Sequence, residues 1–137
     1  MNLLKIASIG KFQPAVAEVR QTGRKGRGIF ALTDIRRHSV ILQSQAVLLD
    51  GGDYEKLGET SIWPYRFALG ARCALVFGDI AFCNHSDMPN AAVTWTRLTP
   101  TAAVASLVAL TGIKANSEIE ISYADTEEYR RRGVTFC

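Results

Sequence analysis

The sequence predicts a mostly β domain built from many short strands with little helix. Three observations carry that expectation. Short β-branched and aliphatic runs recur along the chain, several of them alternate with a period of two, and Gly, Asn and Asp punctuate them at close intervals. In chain order, "IFALTDI" after the glycines near Gly28 reads as extended. "VILQSQAVLLD" (Val40–Asp50) is mostly β-branched and aliphatic and reads as a strand. "YEKLGETSIWPYRFAL" has helical character, with Asp53 as its cap and Pro64 as its break. "CALVFGDIAFC" predicts two strands joined at Gly78-Asp79 as a two-residue hairpin turn. "AVTWTRL" alternates, with Val93, Trp95 and Arg97 on one face. "AAVASLVALTGI" has enough alanine for a helix, but its flanking turns favour a buried strand. "EIEISY" puts Ile119, Ile121 and Tyr123 on one side and Glu118, Glu120 and Ser122 on the other. The charged "DTEEYRRR" is the second helical stretch.

At 137 residues the chain suits one domain with a sizeable core. A content of 47% hydrophobic and 21% charged residues argues against disorder. The net charge of +3 is too mild to identify a partner. Arg24-Lys25, Arg36-Arg37 and Arg130-Arg131-Arg132 are short and dispersed, so no direct nucleic-acid binding is expected. Cys73, Cys83 and Cys137 are odd in number and lack CxxC spacing, which fits free thiols in a reducing compartment. "MNLLKIASIGKF" is too short an apolar run for a signal peptide, and nothing reaches a membrane span. A cytoplasmic protein is the expectation, with nuclear or host-delivered destinations open.

Three pieces carry possible chemistry. In "TGRKGRGIFAL", Gly23, Gly26 and Gly28 allow tight turns and close ligand approach, but neither the P-loop nor the dinucleotide pattern is present. "FCNHSDMPNA" (82–91) concentrates hydrogen-bonding side chains after an apolar run. A metal loop there lacks the three or four ligands zinc requires. A Cys83–His85 nucleophilic pair is sterically possible, although a cysteine in an apolar run is usually an inert buried thiol. A capped turn explains Asn84, Ser86, Asp87 and Pro89 but not His85. The third piece, "IKANSEIEISYAD" (113–125), is a polar turn leading into a strand that ends in Tyr123. Taken singly, each piece is satisfied by an ordinary structural role.

Taken in this order, the three pieces resemble the SET domain, the fold of S-adenosylmethionine-dependent protein lysine methyltransferases. The family's Gly-x-Gly segment is matched by "KGRGIFA". Its Asn-His-Ser-x-x-Pro-Asn signature is matched by Asn84-His85-Ser86-Asp87-Met88-Pro89-Asn90. Its Gly-Glu-Glu-Leu-x-x-Asp-Tyr motif is matched more loosely by "NSEIEISY". The resemblance covers 19–124, within a single SET domain over 1–137 whose short closing segment is 125–137. It implies a β-clip-like fold of several small sheets, with the segment after Asn84-His85 threaded as a C-terminal pseudoknot.

The resemblance also implies S-adenosyl-L-methionine as cofactor and a protein substrate with an accessible lysine, a histone-like or other basic tail among the possibilities. Tyr123 takes the catalytic position. Lys25, Gly26, Arg27, Tyr65, Asn84, His85, Tyr123 and Phe136 are the expected cofactor contacts, with no metal. Tyr129 and Phe136 are the two candidates for closing the site, Phe136 being preferred. Ser122 replaces the family's aspartate before the tyrosine. Val93 and Ile121 align with channel positions that are usually aromatic. A homodimer is a further expectation for so minimal a domain. Asp50, Asp53, Glu55 and Glu59 could line an acidic groove, although solvated loop charges are the simpler reading.

Overall fold

The structure is a computed structural model and describes residues 14–124 and 126–132. Among the described residues, nine strands form two sheets. The first has the order β1-β2-β9-β6 and uses β1 (Ala17–Gln21), β2 (Arg27–Ala31), β6 (Asn84–His85) and β9 (Glu118–Ile121). The second has the order β4-β5-β3-β8-β7 and uses β3 (Val40–Leu49), β4 (Phe67–Leu69), β5 (Arg72–Phe77), β7 (Ala91–Thr99) and β8 (Ala102–Ala109). Helix α1 (Gly51–Leu57) follows β3, and α2 (Thr126–Arg131) follows β9. Among the described residues no helix is long and apolar enough to cross a membrane.

Alternation explains most of this. Ile119 and Ile121 of β9 are buried, while Glu118 and Glu120 face outward across the first sheet. The alanine-rich stretch is indeed a strand. Ala103, Ala105, Leu107 and Ala109 of β8 all point into the core at 1% exposure or less, which a helix could not achieve at that spacing. On β7, Val93 and Trp95 pack against the same core, and Phe67 meets Trp95 edge to face at 5.5 Å.

Two expectations need correction. There is no hairpin at Gly78-Asp79. Gly78 is extended (φ 164°, ψ −177°), and Asp79–Phe82 forms a 3-10 turn that buries Ile80 completely. The physical reason is that β5 already pairs with β4 on one edge and β3 on the other, leaving no edge for a returning strand. The first helix is capped by Asp50, whose carboxylate accepts the Asp53 N–H at 3.0 Å, so Asp53 lies inside the first turn. That helix ends at Leu57, well before Pro64. Pro64 sits instead in a 3-10 turn, Trp63–Tyr65, where a missing N–H costs nothing.

Candidate functional site

The site grows from the pairing of β6 with β9. Asn84 and His85 lie parallel to Glu120 and Ile121, joining the second motif to the third. Asn90 reinforces this joint from its side chain. It donates to the Glu118 carbonyl at 2.9 Å and accepts the Glu120 N–H at 2.9 Å, standing in for a peptide group beside β9. On the other edge of β9, Ile29 and Phe30 of β2 pair with Ile119 and Glu118, which brings the glycine segment alongside.

The glycines have distinct reasons. Gly26 has φ +75°, a conformation L side chains rarely adopt, and its carbonyl accepts the Thr22 N–H at 2.6 Å to close the turn. At Gly28 any side chain would collide with the Glu118 carboxylate and the Asn84 amide. That closeness has a purpose, because the Asn84 amide donates to the Arg27 carbonyl at 2.9 Å and to Glu118 at 2.8 Å. Lys25 crosses the same surface to Glu118 (3.0 Å) and Glu120 (2.6 Å). Burial disfavours its charge, but hydrogen bonds to Glu120 and then Glu118 outweigh that and raise its pKa.

His85, almost fully buried, connects to the strand end. Its Nδ1 accepts the Tyr123 N–H at 2.9 Å, so the ring proton resides on Nε2, which meets the exposed Asp87 carboxylate at 2.9 Å. The Tyr123 hydroxyl donates to the Cys83 carbonyl at 2.6 Å. Burial, and after it the Tyr129 ring alongside, push the Tyr123 pKa well up, so the phenol stays neutral. Burial also pushes the Cys83 thiol up to about 12, with Glu118 and Glu120 adding to it. Cys83 is therefore an inert core thiol, and the nucleophilic pair is set aside.

Lys25, Gly26, Arg27, Tyr65, Asn84, His85 and Tyr123 line one cleft of about 510 Å³. Phe136 lies outside the described residues. Within the cleft the Arg27 guanidinium covers the Phe82 ring at 4.3 Å, and Phe82 meets Tyr65 edge to face at 5.9 Å. A second cavity, of about 300 Å³, also has Tyr123 in its lining. Val93 and Ile121 line it, together with Phe67 and Trp95. Pro64, Tyr65, Ala81, Cys83 and Tyr123 border both spaces, so Tyr123 stands in their common wall. Asp50, Asp53, Glu55 and Glu59 are exposed and border neither.

Sequence reasoning passed over several lining residues, namely Gln21, Arg24, Phe82 and, as the lesser choice for closure, Tyr129. Phe82 opens the polar run 82–91, and that adjacency is the signal for it in the sequence. Tyr129 on α2 is buried, stacks 5.1 Å from Tyr123, and donates its hydroxyl to the Pro64 carbonyl at 3.0 Å. A guanidinium–indole stack holds α2 in place. Trp63 lies under Arg66 at 3.8 Å and Arg132 at 4.4 Å, while Arg132 also donates to the Gly58 carbonyl at 2.9 Å.

Comparison with known proteins adds three findings. The chain is 33% identical over 111 residues, 79% of its length and 73% of the relative's, to a Schizosaccharomyces pombe histone-lysine N-methyltransferase specific for H3 lysine 37. It matches in fold the crystal structure of a Plasmodium falciparum protein described as a candidate histone methyltransferase. That match has a TM-score of 0.65 and 23% identity, and covers 82% of this chain and 96% of the other. The SET-domain family profile matches residues 26–124, from the glycine turn to the residue after Tyr123. With that span and that relative, the chain belongs to the SET-domain family.

Proposed function

We propose that this protein is an S-adenosylmethionine-dependent protein lysine methyltransferase. The observation that carries the reading is Tyr123 standing in a wall shared by two clefts of different character. The larger cleft suits the cofactor. Gly26 and Gly28 leave backbone accessible, Phe82 and Tyr65 offer ring faces for adenine, and the Arg24 and Arg27 guanidiniums suit a carboxylate. Asn84 contributes mainly by fixing the glycine strand, since its amide donors are directed to Arg27 and Glu118. When bound, the cofactor supplies an activated methyl group on a sulfonium.

The protein's own tasks are then positioning and charge control. The second cavity is walled by Phe67, Val93, Trp95 and Ile121, and among the described residues that line it only Arg66 is charged. Such a lining disfavours an ammonium and favours the neutral amine that transfer needs. Tyr123, its proton directed to the Cys83 carbonyl, keeps oxygen lone pairs for the amine N–H and aligns it. The high Tyr123 pKa makes it an orienting phenol rather than a base. The threading of the chain after Asn84-His85 belongs to the same proposal, supported by the parallel pairing of β6 with β9. The S. pombe relative's name supports a histone-like tail as the acceptor.

The test uses isotope-labelled S-adenosylmethionine, core histones and whole-cell extract. Label on a lysine is expected with the wild type. Tyr123→Phe is expected to keep cofactor binding and lose transfer by about 10²-fold or more. Equal rates in the two proteins would remove Tyr123 from this role. Cofactor binding with no labelled protein would count against turnover itself.

A further inference from the structure

The tip of the β1–β2 hairpin, 22–26, contributes to one wall of the larger cleft. Of residues 23–27, Gly23, Arg24, Gly26 and Arg27 are exposed, and Lys25 alone is half-buried. β1 is the outer strand of its sheet, and β2 pairs with β9 at Ile29 and Phe30, so strand pairing to β9 stops short of the tip. The Lys25 ammonium reaches past that point, bonding Glu118 at 3.0 Å and Glu120 at 2.6 Å across 93 and 95 positions of chain. Glu118 Oε2 takes Lys25 while its Oε1 accepts the Asn84 amide at 2.8 Å. One carboxylate thus joins the hairpin tip to the Asn84-His85 segment. At 22%, 17% and 24% side-chain exposure, Lys25, Glu118 and Glu120 escape the full screening that weakens surface pairs.

We propose that Lys25 is a positioning residue for the cofactor cleft, tying the hairpin tip to β9 so that the backbone around Gly26 stays at the spacing the ligand needs. The methyltransferase reading supplies the ligand, whereas the tie itself stands without it. With its ammonium engaged by two carboxylates, Lys25 leaves Arg24 and Arg27 to meet an anionic group of the ligand. Its charge matters as much as its reach. Glu118 and Glu120 are two apart on β9 and share a face, so without the cation two like charges would sit side by side and strain the Glu118 bond to Asn84. An uncharged side chain of similar length therefore fails where arginine succeeds, because a guanidinium can serve both carboxylates. Lys25 borders the larger cleft and not the cavity proposed for the amine. Its effect falls on cofactor binding more than on transfer.

The test compares the wild type with Lys25→Met, Lys25→Arg and Glu120→Gln, with circular dichroism to verify folding. In the ligand-free proteins, hydrogen exchange of the Thr22 N–H, bonded to the Gly26 carbonyl at 2.6 Å, reports how firmly the tip is held. Exchange is expected to quicken about tenfold in Lys25→Met and to return near the wild-type rate in Lys25→Arg. Calorimetric affinity for S-adenosylmethionine should fall about tenfold in Lys25→Met, with KM following it and kcat falling less. Lys25→Arg should recover most of that loss. Glu120→Gln should weaken affinity too, and combining it with Lys25→Met should cost no more than Lys25→Met alone. Should Lys25→Met not fold, Glu120→Gln carries the same two readouts. Unchanged exchange would overturn the tie. Faster exchange with unchanged affinity would overturn the positioning role, as would an arginine variant no better than methionine. A wild type that binds no S-adenosylmethionine would instead sink the methyltransferase reading, and Thr22 exchange alone would then decide the tie.

Discussion

His85 bonds through both ring nitrogens, and these contacts fix which of them carries its proton; the Nδ1 contact reaches the strand end at Tyr123. Its Nδ1 accepts the Tyr123 N–H, so the ring sets the backbone on which the phenol is mounted. His85→Ala is expected to cost about 1–3 kcal/mol by leaving that N–H without its acceptor. Transfer should fall more than cofactor affinity does. His85→Asn should recover part of both losses, because the asparagine oxygen occupies nearly the same place as Nδ1. Calorimetric stability and a split between affinity and turnover check this, and an Asn variant no better than Ala would refute the acceptor role. The motif letters announced His85 and Asn84 in the sequence. Their division of labour was not legible, since the bonds of Asn84 reach Arg27 and Glu118, both far away along the chain.

At the level of elements, the glycine strand and β9 are held close enough that one methyl group matters. Gly28→Ala would push the Glu118 carboxylate and the Asn84 amide out of place and break the bonds Asn84 makes to Arg27 and Glu118. The expected result is a loss of about 1–3 kcal/mol in stability with weaker cofactor binding, measured by denaturant melts and titration. Unchanged affinity would mean that the cleft does not depend on this contact. Elements were readable where alternation was long, as in "EIEISY" and "AVTWTRL". They were misread where a short apolar run such as "DIAF" fits a strand and a 3-10 turn equally well, and only the occupied edges of β5 decide. The alanines of β8 show the reverse case, in which burial on a shared core face overrode helical propensity. Tyr129 is named from the sequence as a closing candidate, but its packing on Trp63 and the Trp63–Arg132 stack are not legible there, because α2 meets the 63–66 turn across a large sequence separation.

For the whole molecule, alkali is the predicted weakness. Cys83 and Tyr123 are held protonated above their unfolded values of 9.0 and 10.0, and Lys25 above 10.5. Above about pH 9 the unfolded chain releases protons that the native state keeps, so stability present below that pH drains away as pH rises toward 12. Denaturant midpoints between about pH 8 and 11 should fall steadily, and Cys83→Ala should flatten the earliest part of the decline. A midpoint constant over that range would contradict the burial of these groups.

The parallel joint of β6 with β9 has a consequence in time. Residues 25, 84 and 123 enclose one cleft, yet β2 waits for a partner at Ile119, and the two-residue β6 has only β9 to lean on in its sheet. Closing such long loops is entropically slow compared with forming the β7–β8 or β1–β2 hairpins, which need only near neighbours. The hairpins can therefore assemble while the binding cleft does not yet exist. A molecule caught partway has sheets but no site, and a ligand spanning all three segments acts as a lock on finished chains, slowing their unfolding while leaving the rate of folding alone.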